Sequence, residues 1–434
     1  MDIYVVQPGD TIYSIADQYD IPFTKLVQEN GLINPFDLVT GQTIVITYPA
    51  QTHVVQEGDT LTSIIDEYGI TLMQLLRNNA FLADRTFLYP GETLIIRYNT
   101  SGSISTNGYA YPYISQDTLK KTLPSLTYLS IFNYRLTEEG EIIAYGEDAE
   151  IIELSKYYGV VPLLMISTLT PTGELIPEII YEILLNEEFQ DQLLNNIIDI
   201  LKSTGYMGMN VLFSNLNQTT QDLYINFLAK TSARFNTEGL FLFITINPNI
   251  EYVDNEISYE EINYSGISQM VNGIMFLQYE WGINYDPPAP VSSIALLRNF
   301  INYVVATTPS DKLFVGKPLI GYDWELPYIP NRSTAHAITL DSAIALARDV
   351  GVAIQFDETS QTPFFRYNVS FVGAPIEHIV WFIDARSINA LDDLIDEYDL
   401  AGSGVWNIMI YYQQLWTMIN SSYEITKVIP DSIG

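Results

Sequence analysis

Eight short apolar runs recur through most of the chain, at 108–111, 127–134, 160–167, 207–214, 239–245, 273–279, 313–321 and 404–409. Most are separated by longer stretches with the apolar period of an amphipathic helix, such as 187–204 and 219–235. Continuous apolar strands alternating with helices require a parallel sheet covered on its outer face. Eight such units predict an α/β fold, a closed TIM (β/α)8 barrel whose functional residues sit at the C-terminal ends of the strands. Residues 323–400, between the seventh and eighth runs, are too long for one crossover. They mix a helical pattern (339–350) with strand-like pieces (353–357, 364–367, 378–383), which predicts an α+β insertion on the barrel rim.

The first 98 residues have a different rhythm. Val5-Val6-Gln7-Pro8-Gly9-Asp10-Thr11 returns forty-nine positions later as Val54-Val55-Gln56-Glu57-Gly58-Asp59-Thr60. Ile12, Ile15, Ala16 and Tyr19 then follow at i, i+3, i+4 and i+7, and Leu61, Ile64, Ile65 and Tyr68 repeat the spacing. Each unit therefore has an amphipathic helix after a Gly-Asp-Thr turn, with Asp and Thr side chains suited to capping its first turn. A second helical stretch (24–30, 71–79) and a β-rich close (41–46, 91–96) complete two small βααβ modules, at 2–48 and 51–98. The polar, Gly/Ser/Thr-rich stretch 99–107 reads as a linker, and the barrel as 108–430.

Charge excludes whole classes of partner. With 19 basic and 52 acidic residues the chain carries −33, which repels phosphate backbones and anionic membranes. No nucleic acid partner and no membrane insertion are expected, because no apolar run approaches the length of a spanning helix. With no cysteine there is no thiol chemistry. His53, His336 and His378 have no metal-motif spacing and read as structural or surface residues, so no metal and no cofactor are expected. Met1-Asp2-Ile3 opens straight into patterned sequence without a leader-like stretch, which predicts synthesis in the cytoplasm without an export address.

The Val-Val-Gln-x-Gly-Asp-Thr opening and the Gly-Gln/Glu-Thr-Leu/Ile-Ile close resemble the LysM module, which binds N-acetylglucosamine-containing glycans. The resemblance implies a sugar held between the Gly-Asp-Thr loop and the loop after the second helix. In the first module these are Gly9, Asp10, Thr11 and Ile12 with Leu32, Ile33, Asn34 and Pro35. The second offers Gly58, Asp59, Thr60 and Leu61, while its other loop, 81–87, departs from the Leu-Ile-Asn-Pro form.

The remainder resembles glycoside hydrolase family 18, and within it the LysM-bearing N-acetylglucosaminidases that act on spore cortex fragments. The matching segments are Leu277-Gln-Tyr-Glu-Trp-Gly282, Gly316-Lys-Pro-Leu-Ile-Gly-Tyr-Asp-Trp-Glu-Leu-Pro-Tyr328, Thr362-Pro-Phe-Phe-Arg-Tyr367, Val380-Trp-Phe-Ile-Asp-Ala-Arg-Ser387 and Gly402-Ser-Gly-Val-Trp406. Family chemistry is substrate-assisted, with the sugar's acetamide attacking its own anomeric carbon while one carboxylic acid protonates the leaving oxygen. In the family the fourth strand reads roughly Gly-x-Asn/Asp-x-Asp-x-Glu. Here Gly208-Met-Asn210-Val-Leu212-Phe-Ser214 keeps Asn210 but has Leu212 for the Asp and Ser214 for the acid. Between Gly205 and Leu216 there is no Asp or Glu. A serine hydroxyl is no general acid near neutral pH, and losing that help alone costs roughly 10²- to 10⁴-fold in rate. The degenerate motif implies no catalytic residues and a pseudo-glycosidase.

The resemblance still implies a cleft lining of Tyr279, against the acetamide, and Trp406, beneath the sugar, with Trp281 and Tyr322 in rim motifs. Glu280 and Asp323 sit in motifs that the family uses for substrate contacts, which implies glycan binding, and they are also the carboxylates nearest to hand for a displaced pair. Three functions are compatible with these residues. The first is a non-catalytic protein of the bacterial spore envelope, cortex or coat, that binds peptidoglycan or chitin-type glycan. The others are an active N-acetylglucosaminidase with displaced carboxylates, and a self-assembling coat or crystal component whose partners are its own copies or other envelope proteins. The resemblance places synthesis in the mother cell.

Overall fold

The computed structural model describes residues 1–85, 87–137, 141–167, 177–213, 216–248, 250–253, 256–277, 287–370 and 375–433. Eight strands, Gly102–Ala110, Tyr128–Leu136, Val161–Ser167, Gly208–Phe213, Phe241–Ile246, Gly273–Phe276, Leu313–Pro318 and Gly402–Trp406, pair in parallel. The first pairs with both the second and the eighth, which closes the barrel. Its interior is filled rather than hollow, by Tyr109, Tyr128, Val161, Leu163, Met165, Phe243, Met275 and Phe314. A Cβ on Gly402 would collide with the carbonyl of Ser105, so the closing strands approach this closely only with glycine there.

The stretch 99–107, expected as a linker, is instead the first half of the first strand from Gly102 onward. Its polar side chains are satisfied inside the fold. Thr106 Oγ1 donates to the Ser125 carbonyl at 2.5 Å, and the Thr106 amide donates to Thr127 Oγ1 at 3.0 Å. The short strand Tyr423–Ile425 pairs alongside in parallel. Loop-like composition here is the composition of a buried strand with hydrogen-bonded hydroxyls.

The insertion is a five-stranded antiparallel sheet in the order 336–338, 321–326, 376–381, 362–369, 355–357, with the helix Leu340–Asp349. It begins at Gly321 rather than 323. It ends before Ala385–Glu397, which returns to the barrel's helical layer and packs on the seventh strand, where Asp392 pairs with the fully buried Lys317. Among the described residues no helix is long and apolar enough to cross a membrane.

Each small module is strand, helix, helix, strand: Asp2–Val5, Ile12–Gln18, Phe23–Asn30, Thr43–Ile46, then Gln51–Val54, Leu61–Tyr68, Leu72–Asn78, Thr93–Arg97. In each, one buried amide ties the second helix to the closing strand. Asn30 Nδ2 donates to the carbonyls of Leu26 (2.9 Å) and Val45 (2.8 Å), and its Oδ1 accepts from the Val45 amide (2.7 Å). Asn79 does the same with Leu75 and Ile95, all at 2.8 Å.

Both modules lie against the helix Gln413–Ser422, which follows the eighth strand. Residues three apart on one stripe of it reach out in turn. Gln414 Nε2 donates to Asn30 Oδ1 (2.9 Å) and the Thr43 carbonyl (2.8 Å), and Thr417 Oγ1 donates to the Glu29 carbonyl (2.7 Å). Asn420 Nδ2 donates to the Arg77 carbonyl (3.0 Å) in the second module. The first module also meets the insertion, where the Ile354 amide donates to the Thr40 carbonyl at 2.9 Å. It keeps a small apolar core of its own (Val6, Ile12, Ile15, Leu26, Ile44, Ile46) but lends Val39 and Val45 to the large cluster that also holds Leu75, Leu76, Leu94 and Ile96 of the second module with Leu119 and Leu123 of the barrel.

The chain end crosses the N-terminal side of the barrel. There Lys427 Nζ donates to the carbonyls of Leu123 (3.1 Å), Leu126 (2.5 Å) and Tyr158 (3.1 Å). Burial first, and the Arg77 charge second, push this ammonium down to about 7.

Candidate functional site

The fourth strand points Asn210 and Leu212 into the barrel, because alternate residues of a strand share a face. Asn210 is fully buried. Its Nδ2 donates to Ser130 Oγ (2.9 Å), and its Oδ1 accepts from Thr245 Oγ1 (2.9 Å). Thr245 Oγ1 lies 2.7 Å from the Tyr109 hydroxyl, and Ser130 Oγ donates to Asn107 Oδ1 (2.9 Å). With Met275 Sδ, which accepts from the Tyr109 hydroxyl (3.0 Å), the network spans six side chains on five strands and contains no ionised group. Burial pushes the Tyr109 hydroxyl far above its ordinary value, so it stays protonated and is a weaker acid than a free tyrosine. Two residues along, half-buried Leu212 packs against the interior ring cluster. Ser214 lies outside the described residues.

Trp406 ends the eighth strand and is half-buried. Its ring centroid is 5.3 Å from Tyr109 and 5.3 Å from Phe132, the latter edge-to-face. The rim residues Tyr322 and Asp323 are adjacent on the strand Gly321–Leu326 and so point to opposite faces of the insertion sheet. Tyr322 shares its face with Trp324 (5.6 Å), and directly opposite with Trp381, which packs on Phe364 (4.5 Å). Asp323 is committed on the other face: Oδ2 accepts from the Tyr367 hydroxyl (2.6 Å), and Oδ1 lies 3.0 Å from His378 Nδ1. Tyr279, Glu280 and Trp281 lie outside the described residues. Trp324, Trp381 and Phe364 were not singled out from the sequence, although two-residue alternation within the quoted motifs was the signal for them.

In the modules, the Gly-Asp-Thr turns are built alike. Gly9 and Gly58 take φ of +89° and +96°. Asp10 Oδ2 accepts from the Gln7 amide (2.7 Å) and the Tyr4 hydroxyl (2.6 Å), which is pushed up to about 12 by that carboxylate. Asp59 Oδ2 accepts from the Gln56 amide (2.6 Å) and meets His53 Nε2 (2.8 Å). These aspartates therefore close the turn, while helix capping falls to Thr11 and Thr60, each in a reciprocal box with Ser14 or Ser63. Ile12 is core rather than surface, and Leu32 and Leu61 pack against core side chains. Ile33 and Asn34 are exposed and Pro35 half-buried.

Beside Ile33 the first module carries exposed aromatics that sequence reasoning missed. Tyr13 stacks on Phe36 (6.0 Å, 23°) and touches Phe23 (4.8 Å). The second module has Thr62 where the first has Tyr13, and its exposed rings are Phe87 and Tyr89, which meet edge-to-face at 5.2 Å. The Arg85 guanidinium lies 5.1 Å above Phe81 and 5.2 Å above Tyr89, and pairs with Glu92 at 2.6 Å. Among the described residues no group of three His, Cys, Asp or Glu is placed to hold a metal ion.

Comparison with known proteins bears on this geometry. The LysM domain matches residues 4–47 and 53–97, and glycosyl hydrolases family 18 matches 176–409. The chain is 34% identical to the cortical fragment-lytic enzyme of Bacillus subtilis, over 98% of this chain and 99% of that protein. It is 30% identical to the putative sporulation-specific glycosylase YdhD of the same organism, over 99% and 100%. The solved structure of the Bacillus megaterium spore cortex-lytic enzyme SleL superposes with a TM-score of 0.79 at 32% identity, covering 98% of this chain and 99% of that one. A filled eight-stranded barrel with a rim insertion, preceded by two such modules, is thus matched along nearly its whole length, and the chain belongs to glycosyl hydrolases family 18, with two LysM domains ahead of its barrel.

Proposed function

We propose that the protein binds an N-acetylglucosamine-containing glycan of the bacterial spore envelope without cleaving it. The observation that carries this reading is Leu212, an apolar side chain packed on the interior rings at the position where the family's electrostatic partner stands. With Ser214 two residues on, neither the acid nor the group that balances the oxazolinium charge is present in the strand. Loss of the acid and of a preorganised charge partner together reduces turnover by roughly 10⁴-fold or more. Asp323 does not replace them, because its carboxylate is spent on Tyr367 and His378.

Binding survives such a loss because it relies on different groups. Aromatic faces stack on the apolar faces of pyranose rings, and half-buried Trp406 offers one in the barrel, while Tyr322 is buried against Trp324 and Tyr279 and Trp281 are candidates from their motifs alone. The first module adds Gly9, Asp10, Thr11, Ile33, Asn34 and Pro35 beside the Tyr13–Phe36 pair. The second adds Gly58, Asp59 and Thr60, with a Phe87–Tyr89 pair over which the Arg85 guanidinium lies. The relatives' names supply the location: two are called cortex-lytic or cortical fragment-lytic, and we assign this chain to the same glycan.

Incubation of the full chain with cortex muropeptides and with chitin oligomers tests the reading. Retention on the insoluble glycan without new reducing ends is expected. Reducing ends at a rate within tenfold of a family enzyme with both carboxylates would overturn it.

A further inference from the structure

The cleft does not end at Trp406. Its ring meets Phe132 at 5.3 Å, Phe132 meets Tyr111 at 5.6 Å, and Tyr111 stacks on Tyr113 at 5.4 Å with only 14° between the ring planes. Four aromatic rings thus run in contact from the half-buried floor to the surface, where Tyr113 is 75% exposed.

An exposed tyrosine on a loop ordinarily samples several rotamers, and this one is held. The segment Tyr111-Pro112-Tyr113-Ile114 is a turn closed by the Ile114 amide donating to the Tyr111 carbonyl at 3.1 Å, with proline in the position whose φ the turn requires. The Tyr111 amide is held against Met409 Sδ at 3.3 Å, in the loop after the eighth strand. Turn and loop contact hold the backbone that carries the ring, and the stack on Tyr111 orients the ring itself, which lowers the entropic cost of binding there.

Charge narrows what would bind. From Asn99 to Gln116 the sequence has no charged residue, in a chain of net charge −33. A flat, preformed, uncharged ring at the end of an aromatic path suits a neutral pyranose face.

The geometry points to Tyr113, backed by Tyr111, as a distal stacking platform for a sugar of the same glycan chain whose inner sugar lies over Trp406. This rests on the barrel cleft binding glycan as proposed above, and adds that it takes a chain of several sugars rather than a single residue or a disaccharide.

The test uses the full chain with Tyr13→Ala and Phe36→Ala, which removes the first module's aromatic pair from the measurement. Affinities for the N-acetylglucosamine dimer and hexamer are measured by calorimetry in that background, and again after adding Tyr113→Ala, Tyr113→Trp or Trp406→Ala. The expected result is hexamer binding weakened roughly three- to tenfold by Tyr113→Ala, kept by Tyr113→Trp, with dimer binding unchanged. Hexamer binding unaffected by Tyr113→Ala but lost with Trp406→Ala would overturn the platform and leave the cleft standing. No hexamer binding in the background itself would overturn the cleft reading, and the platform with it.

Discussion

Gln414 and Asn30, 384 positions apart in the chain, share a buried hydrogen bond of 2.9 Å in which the glutamine amide completes the acceptor of an asparagine already tied to its own module. Gln414 Oε1 in turn accepts from the Tyr412 hydroxyl at 2.7 Å. Gln414→Ala therefore strands several buried polar groups at once. It is expected to lower unfolding stability by about 1–3 kcal/mol, and to raise amide exchange in residues 26–30 and 43–46 more than in the barrel strands. Equal exchange in both regions would contradict this.

Restoring both missing carboxylates should restore chemistry. Leu212→Asp with Ser214→Glu is expected to release reducing ends from N-acetylglucosamine oligomers, and Ser214→Glu alone to release none, since the oxazolinium charge stays unbalanced. Because Leu212 packs on the ring cluster, Leu212→Asp should also lower stability by about 1–3 kcal/mol. A folded double variant without turnover would show that the cleft has drifted as well as the catalysts.

Lys427 gives the protein a measurable pH dependence. In the unfolded chain a lysine keeps its proton up to about 10.4. In the folded chain this one releases it at about 7. Between those values the unfolded state binds more protons, so stability rises with pH, by up to about 1.4 kcal/mol per pH unit from this group. Below pH 7 the contribution is flat. The difference in melting temperature between wild type and Lys427→Met should therefore grow in favour of the wild type from pH 7 to 9.5, and a constant difference would refute the assignment.

The two LysM domains should contribute unequally. Tyr13→Ala with Phe36→Ala in the full chain is expected to weaken retention on insoluble peptidoglycan roughly three- to tenfold. Arg85→Ala should do less, because that side chain is paired with Glu92 rather than offered to a ligand. The reverse ranking in a pull-down series would place the main site in the second domain.

Eight apolar runs and a forty-nine-residue echo were enough to read the barrel and both modules, because burial on both faces and helical periodicity leave direct marks on composition. Segments whose polar groups are satisfied by distant partners left no such mark. Ser103, Ser105 and Thr106 look like a linker until Ser125 and Thr127 are seen to hold Thr106. Gln414, Thr417 and Asn420 look like ordinary helix polarity until the carbonyls they cap are known. At the candidate site, the placement of Asn210 on the fourth strand and of Trp406 at the end of the eighth is legible from motif position, while the separation of Tyr322 from Asp323 needs the sheet register. Tyr113 was missed because nothing local distinguishes an exposed ring that is held from one that is free.

The second LysM domain places its buried core in the cluster that it shares with the barrel's outer layer, while the first keeps most of its core to itself and lends Val39 and Val45. The two repeats are alike in sequence yet unequal as parts. Losing the first would expose a mostly polar seam with Val39 and Val45, whereas a cut after the second would open the apolar layer between the barrel's strands and helices to water. Substitutions on its inward face therefore disturb the packing of the barrel as well as that of the domain itself.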